Sequence, residues 1–512
     1  MRLSKLVSMV GRVSRKDERD LDPKPSCIEI DSRSIREGAL FVALEGEHAD
    51  GHDYVEAAID AGASAVLVDT DRLGEFDVDV PILVADDTRG VLGRLAAAFH
   101  GRPSEAMQVV GITGTNGKTT TSHILASILR AAGSDVGVIG TIGHRWDGVS
   151  EKGPNTTPES LRIQQLLDRM RRDGVDTVVM EVSSHGLATH RLTGTAFDVA
   201  LFTNLSQDHL DFHGDIEAYR RAKASLFRHH LPAAAEIGKS PVAILNVDDA
   251  TGALLAEEVD EMATVDTQTV STEDRSADLF VRVVDADLGG TQLEFDHAGE
   301  RAQVTSPLMG AFNVENCSCA AGVALSMGVS LSDVTEGIAS METVPGRLEP
   351  VDGPERTPHV FVDYAHTPDA LRRALETLSP LTPGRLIVIF GCGGDRDRDK
   401  RPIMGEAATS VADLSVVTSD NPRSENPEAI IEEILDGIAE DPEGNWRTFR
   451  AAESGLWVES DRAKAIEAVV DRARTDDVVL VAGKGHEQYQ EIGGEKRPFD
   501  DVEVAHAALL DR

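Results

Sequence analysis

The chain has 512 residues, 50 Lys plus Arg against 88 Asp plus Glu, and 41% hydrophobic residues, for a formal net charge of −38. At ~100 to 200 residues per domain this is too long for one core; the apolar content excludes a disordered chain and predicts two to four domains. Such a charge repels phosphate backbones and anionic membranes, which excludes non-specific nucleic-acid binding, so an anionic ligand needs a local positive pocket. Only 11 of the cations are lysines. An Asp-rich, Lys-poor balance predicts adaptation to high salt, where self-repulsion is screened, with ordinary acidic drift as the alternative. No stretch approaches the ~20 uninterrupted apolar residues of a membrane span. Met1-Arg2-Leu3-Ser4-Lys5 leads into charged residues without a signal-peptide core, so a cytoplasmic monomer with neither membrane nor nucleic-acid partners is expected. Cys27, Cys317, Cys319 and Cys392 form no CxxC pair and read as free thiols in a reducing compartment.

In chain order, residues 1–104 carry short apolar runs at 39–44 and 65–68 with an amphipathic stretch over 54–63, the pattern of a small α/β domain ending at the loop His100-Gly101-Arg102-Pro103-Ser104. Met107 to Ile112 reads as a buried strand entering a glycine-rich turn, and 119–132 as a helix. Strands at 177–180, 199–202 and 242–245 alternate with helical segments, predicting a parallel sheet in a domain over 105–344. Residues 260–305 alternate and are poor in helix signals, which predicts a small antiparallel insertion. After the Pro345-Gly346 interruption, apolar runs at 360–362, 386–390, 414–417 and 478–481 predict a doubly wound domain over 345–512. The fold class is therefore α/β in three domains: a small N-terminal α/β domain, a central P-loop ATPase-like parallel-sheet domain and a C-terminal Rossmann-like doubly wound domain.

The strongest local signal is Gly111-Ile112-Thr113-Gly114-Thr115-Asn116-Gly117-Lys118-Thr119-Thr120, where a strand meets a helix. Glycines let backbone N–H groups close round phosphate oxygens, Lys118 neutralises the β/γ-phosphates of ATP, and Thr119 can ligate Mg²⁺. Ile112 stands where a strict GxxxxGK[ST] loop has its first glycine. Glu181, at the end of the next strand, supplies a carboxylate suited to that hard ion. Taken alone, Lys223 reads as a solvated lysine and His209 as a satisfied loop histidine.

Gly114-Thr115-Asn116-Gly117-Lys118-Thr119-Thr120, together with the motifs quoted below, resembles the ATP-dependent Mur ligases, and specifically the branch that adds the third amino acid to UDP-N-acetylmuramoyl-dipeptide in peptidoglycan precursor synthesis. The resemblance runs from about residue 28 to 500. It implies ATP contacts from Gly114, Thr115, Asn116, Gly117, Lys118, Thr119 and Thr120, with Asn313, Arg347 and Asp363 added from beyond the helix and linker. It implies Lys118, Glu181, His209 and Lys223 as the catalytic set, Lys223 carbamylated, with metal held by Thr119, Glu181, His209 and Lys223. CO₂ turns a neutral amine into an anionic carbamate with oxygen ligands. Asp31-Ser32-Arg33 and 46–52 resemble the uridine and pyrophosphate region, with Ser32 as a ligand contact. Asn155, Thr156, Thr157, Ser184 and Arg191 resemble the segments that hold the muramoyl peptide. A helix cap is the alternative for Thr157 and for Asn313, and an ordinary turn is the alternative for Asp31 to Arg33.

Arg396 in Gly391-Cys392-Gly393-Gly394-Asp395-Arg396-Asp397, with Asp420-Asn421-Pro422-Arg423, Gly483 and Glu487, resembles the acceptor site of enzymes that take meso-2,6-diaminopimelate. Arg423 can bind the distal carboxylate through two hydrogen bonds while Asp420, Asn421 and Glu487 serve the ammonium group. Lysine lacks that carboxylate, and an unpaired pocket arginine penalises it, on the scale of ~10⁴-fold for lost buried partners. Without its neighbours, Asp-Asn-Pro-Arg is a turn bearing a surface arginine. Asp399 departs from the family's glycine before Lys400, and Lys400 takes no role. The same reaction with lysine, a folate or poly-amino-acid ligase, and a non-catalytic cell-wall-nucleotide-binding module are the competing readings. Because the implied ATP contacts lie on both sides of Pro345-Gly346, the resemblance also implies domain closure.

Overall fold

The computed structural model describes residues 1–16, 21–46, 49–438 and 455–512, so Glu47 and His48 of the expected pyrophosphate segment lie outside the described residues. Two compact units emerge. The first comprises 1–280, 296–300 and 315–337, and the second comprises 281–295, 301–314 and 338–512.

In the first unit, a five-stranded sheet runs in the order Ser14–Arg15, Ile82–Ala85, Ala65–Asp69, Leu40–Val42, Ile28–Glu29, with only the Ser14–Arg15 pairing antiparallel. Alternate residues of these short strands enter different cores: Leu40, Val42 and Leu67 pack with the helices Leu3–Val10 and Thr88–Phe99, while Phe41, Val66 and Val68 pack with Val55 and Ala58. Burial on both faces is why these runs carry no polar alternation.

The larger sheet places Gln108–Thr113 between Thr177–Glu181 and Val199–Phe202, all parallel. Val136–Gly140 lies beyond Thr177–Glu181, and Val242–Asn246 lies beyond Val199–Phe202. Successive connections therefore leave Gln108–Thr113 to opposite sides, which opens a crevice at its carboxyl end for the loop Gly114 to Gly117. The helix Lys118–Ala131 follows that loop.

The expected antiparallel insertion over 260–305 is corrected at its first strand. Asp266–Ser271 pairs parallel with Val242–Asn246 after the crossover helix Ala250–Asp260, and Leu279 and Phe280 pair parallel with Val270 and Ser271. Asp266–Ser271, Leu279 and Phe280 thus extend the main sheet. Their alternating, half-exposed sequence looks like a hairpin; parallel partners are set by the crossover helix, a non-local relation that alternation does not carry.

In the second unit, the sheet order is Glu349–Pro350, His359–Asp363, Val478–Ala482, Leu386–Phe390, Leu414–Val417, Gly455–Val458, parallel except at Glu349–Pro350. Leu386, Val388 and Phe390 face one core and Ile387 and Ile389 the other, so this sheet is also covered on both faces. The loops after Phe390, Val417 and Ala482 consequently leave the same edge.

Candidate active site

The phosphate loop is braced by the segment after the neighbouring strand. Thr115 donates its N–H to Asn204 O (2.8 Å), Asn116 donates to Asn204 Oδ1 (2.9 Å), and Thr203 Oγ1 donates to Asn116 O (2.7 Å). Lys118 curls back so that Nζ donates to Gly114 O and Thr115 O, both at 2.8 Å, holding its charge at the loop.

Glu181 is buried at the end of its strand and is clamped by hydroxyls. Thr119 Oγ1 donates to Oε2 at 2.8 Å, Thr141 Oγ1 donates to the same oxygen at 2.9 Å, and Thr141 N–H reaches Oε1 at 3.1 Å. Thr141 Oγ1 in turn lies 3.0 Å from Thr156 Oγ1. Sequence reasoning missed Thr141; its one signal was a place at the carboxyl end of the strand Val136–Gly140, where ligand loops belong. A carboxylate beside a threonine hydroxyl fits Mg²⁺, which takes one or two carboxylates and fills its remaining positions with phosphate and water oxygens. Among the described residues, no three His, Cys, Asp or Glu side chains converge to form a metal cluster.

Lys223 is 1% exposed, donates Nζ to Gly114 O at 2.7 Å and lies 4.3 Å from the Tyr219 ring centroid. Burial, assisted by the charge of Lys118, pushes its ammonium well below the ordinary lysine range. The solvated reading of Lys223 is therefore overturned, and a buried amine that is readily neutral is the form that combines with CO₂. Tyr219 donates its hydroxyl to Thr115 Oγ1 (3.2 Å), and burial pushes that phenol up to about 12. His209 has a left-handed backbone (φ 52°), a half-exposed ring and an edge contact with His185 at 5.0 Å between centroids.

The segments expected to hold the sugar and peptide meet around the same strand end. Thr157 is fully buried; its hydroxyl donates to Glu181 O (2.8 Å) and accepts from Ser183 N–H (2.9 Å). The capping reading of Thr157 is corrected, because the helix Ser160–Arg172 begins at Glu159 without a side-chain cap. Asn155 is exposed and Thr156 half-buried. Ser184 Oγ lies 2.9 Å from His213 Nε2, and Arg191 donates to Thr157 O (3.0 Å) with Glu159 Oε1 at 3.2 Å from its Nε. Ser32 sits in a short 3₁₀ turn whose Asp31 carboxylate folds onto the Arg33 N–H and guanidinium. His52 is internally satisfied between Asp50 (2.6 Å) and the Asp69 N–H (3.0 Å).

In the second unit, Asn313 lies inside the helix Ala311–Ser326 and donates Nδ2 to Met309 O (2.8 Å), which corrects its capping alternative, since an N-cap side chain accepts. Asp363 accepts the N–H groups of Leu348 (2.7 Å) and Ala365 (2.8 Å); burial pushes its carboxyl up, opposed by Arg347 and those bonds. Arg347 lies over the Tyr364 ring at 5.0 Å.

The acceptor motifs converge. Asn421 donates Nδ2 to Glu487 Oε2 (2.7 Å) and accepts the Glu491 N–H (2.9 Å). Gly483 has φ +117°, and a Cβ there would meet Asp420 Oδ2 at 2.5 Å, so both backbone and space demand glycine. Arg423 is left-handed (φ 52°), donates its backbone N–H to Glu491 O and its guanidinium to Gly394 O (2.6 Å), and has Glu491 Oε2 at 3.8 Å. A non-glycine residue in this region carries strain that the surroundings must over-determine. The surface reading of Arg423 is overturned, whereas Arg396 remains exposed and makes one long bond, to Asp395 O at 3.4 Å. Lys484, given no role from sequence, is completely buried, with Nζ 3.1 Å from Asn421 Oδ1 and 3.2 Å from Glu487 Oε2. It was hidden because a lysine between two glycines reads as a solvated turn. Lys400 donates Nζ to His366 O.

A phosphate loop joined to a clamped carboxylate and a buried lysine, on an α/β frame, defines a nucleotide-dependent transferase or ligase class. Family models match the Mur ligase catalytic domain over residues 24–100, the Mur ligase middle domain over 112–324, and the Mur ligase glutamate ligase domain over 346–485. The chain is 41% identical over 513 aligned residues to a UDP-N-acetylmuramoyl-L-alanyl-D-glutamate–2,6-diaminopimelate ligase of Bacillus licheniformis, covering 100% of both chains. A solved structure of a UDP-N-acetylmuramoyl-L-alanyl-D-glutamate–2,6-diaminopimelate ligase is 34% identical, with a TM-score of 0.68, covering 95% of this chain and 94% of that one. A MurF ligase from Thermotoga maritima in complex with ADP shares the fold at 21% identity and a TM-score of 0.61, covering 94% and 96%. The chain belongs to the Mur ligase family.

Proposed function

We propose that this chain is an ATP-dependent ligase that joins meso-2,6-diaminopimelate to UDP-N-acetylmuramoyl-L-alanyl-D-glutamate, with separate UDP-sugar, ATP and amino-acid domains over 1–104, 105–344 and 345–512. The full-length 41% identity to a ligase of that name carries the reading. The convergence of Asn421, Arg423, Lys484 and Glu487 supports it.

Lys118 and the loop N–H groups hold the triphosphate and offset the repulsion between it and the incoming carboxylate of the peptide. Thr119 and Glu181 would hold Mg²⁺, with His209 and carbamylated Lys223 for a second ion; the metal supplies charge neutralisation at the transferring phosphoryl group. The glutamyl carboxylate takes the γ-phosphoryl group, giving an acyl phosphate and ADP. The amine of diaminopimelate attacks the acyl carbon, and phosphate leaves from the tetrahedral intermediate. Arg423 reads the distal carboxylate, and Asp420, Asn421 and Glu487 read the ammonium.

The test is phosphate release from ATP, Mg²⁺ and UDP-N-acetylmuramoyl-L-alanyl-D-glutamate with each amino acid supplied separately. Release with diaminopimelate and not lysine is expected. Release with lysine alone would overturn the specificity, and release with neither would overturn the ligase reading in favour of a binding module.

A further inference from the structure

Away from these residues, the first unit contains a cavity of about 590 Å³, within the ~300 to 1,000 Å³ of small-molecule sites. Its walls come from the end of the helix Leu3–Val10, one face of the helix Thr88–Phe99, the loop after the helix Ser184–Ala188, and the chain following Lys223. That last wall is a π turn, Leu226–His230, inserted between the helices Ile216–Ser225 and Leu231–Glu236. Such turns re-aim side chains and recur at functional sites; this one brings both His229 and His230 to the cavity.

The polar lining is unusual for a chain of charge −38. Arg102 is neutralised by Glu105 (3.0 Å). Among the described residues, Arg94, which is exposed, has no such partner, and the rings of His190 and His229, also exposed, and of His230, half-buried, make no hydrogen bond or ion pair. Burial, with the like charges of His229 and His190, pushes His230 down to about 4, so at neutral pH its ring is uncharged and offers one N–H donor. Val10, Leu187 and Ala234, with the exposed Ile237, give the wall an apolar part beside the hydroxyl residues Thr193, Thr195 and Ser225. A solvent-facing guanidinium and two imidazoles at the mouth, a half-buried third imidazole and a partly apolar floor are complementary to an anion attached to a hydrocarbon or aromatic body.

We propose that this cavity binds a small organic anion, an apolar body bearing a carboxylate, sulfonate or phosphate monoester, with Arg94 pairing its charge and His190, His229 and His230 bonding its oxygens. Two walls continue directly from Arg191 and Lys223, so occupancy biases the segments assigned to the peptide substrate and the carbamate. This coupling rests on the function proposed above, whereas the binding site does not.

The probe is 8-anilinonaphthalene-1-sulfonate, titrated by fluorescence and calorimetry against the full chain. One saturable site per chain is expected, retained with saturating ADP and UDP. Arg94→Glu weakens it by at least about tenfold, the scale of a lost charge-assisted bond. Ala233→Trp, at an exposed lining position, blocks it, and both variants keep the probe-free ligase rate. With probe bound, KM for the UDP-sugar dipeptide shifts by about fivefold or more. Absence of saturable binding, displacement by ADP or UDP, or binding unchanged in both variants overturns the site; a saturated site with unaltered KM overturns the coupling. An inactive native chain that binds the probe would count against the ligase reading alone.

Discussion

Gly140→Ala tests whether the exact seat of Glu181 matters to phosphoryl transfer. Gly140 ends its strand with an ordinary negative φ, so alanine suits the backbone. The added Cβ, however, would lie 2.7 Å from Cδ of Glu181, and closer still to Oε1. Carbon atoms prefer about 3.5 Å or more, so the carboxylate must retreat by about 1 Å, and its bonds from Thr119, Thr141 Oγ1 and Thr141 N–H cannot all survive. A 1 Å displacement at a reacting centre costs about 100-fold, or about 2.7 kcal/mol in the barrier; overpacking adds about 1 to 3 kcal/mol of lost stability. Steady-state phosphate release should show kcat down about 100-fold and a raised Mg²⁺ requirement, with a folded protein by circular dichroism. Wild-type kcat and Mg²⁺ dependence in a folded Gly140→Ala would refute the reasoning that Thr119 and Glu181 form the metal seat.

Lys223→Met should abolish ligation yet raise stability at neutral pH. Because the folded-state pKa of Lys223 is depressed, the unfolded chain binds the extra proton between that value and ~10.4, so stability rises with pH through this window. Denaturant unfolding of the CO₂-free protein from pH 7 to 10 should show a flatter profile in the variant; parallel profiles would contradict the buried, readily neutral amine. Arg423→Ala should lower kcat/KM for diaminopimelate by about 10- to 100-fold, the ~1.5 to 3 kcal/mol of a charged hydrogen bond, while ADP affinity by calorimetry stays unchanged; an equal loss of both would remove Arg423 from the acceptor site. Thermal unfolding should shift upward between 0.1 and 1 M KCl, as the screening length falls from ~10 to ~3 Å around a charge of −38. A flat or falling midpoint would leave the acidic composition without a salt-adaptive role.

The central strands were legible because both of their faces are buried, which leaves uninterrupted runs such as Leu386-Ile387-Val388-Ile389-Phe390. The partners of Asp266–Ser271 were not, since parallel neighbours are chosen by the crossover Ala250–Asp260 rather than by local alternation. Lys118 and Glu181 were legible from position, Lys118 opening the helix after the glycine loop and Glu181 closing its strand. Lys223 was legible only through the motif, because burial of a lysine leaves no local trace in sequence.

The supporting hydroxyls were the least legible part, and the reason is chemical. A threonine that caps a helix, lines a sugar site or clamps a carboxylate looks identical in sequence, because its one hydroxyl donates once and accepts from any neighbour. Thr157 resolves this: with its hydroxyl donating to Glu181 O and accepting from Ser183 N–H, it ties the strand end that carries the carboxylate to the turn that starts the helix Ser184–Ala188. Thr141 does the same from the other side, joining Glu181 to Thr156. The residues assigned to the metal and those assigned to the peptide are therefore set by shared hydrogen bonds, so that the carboxylate cannot shift without disturbing the segment that would present the second anion.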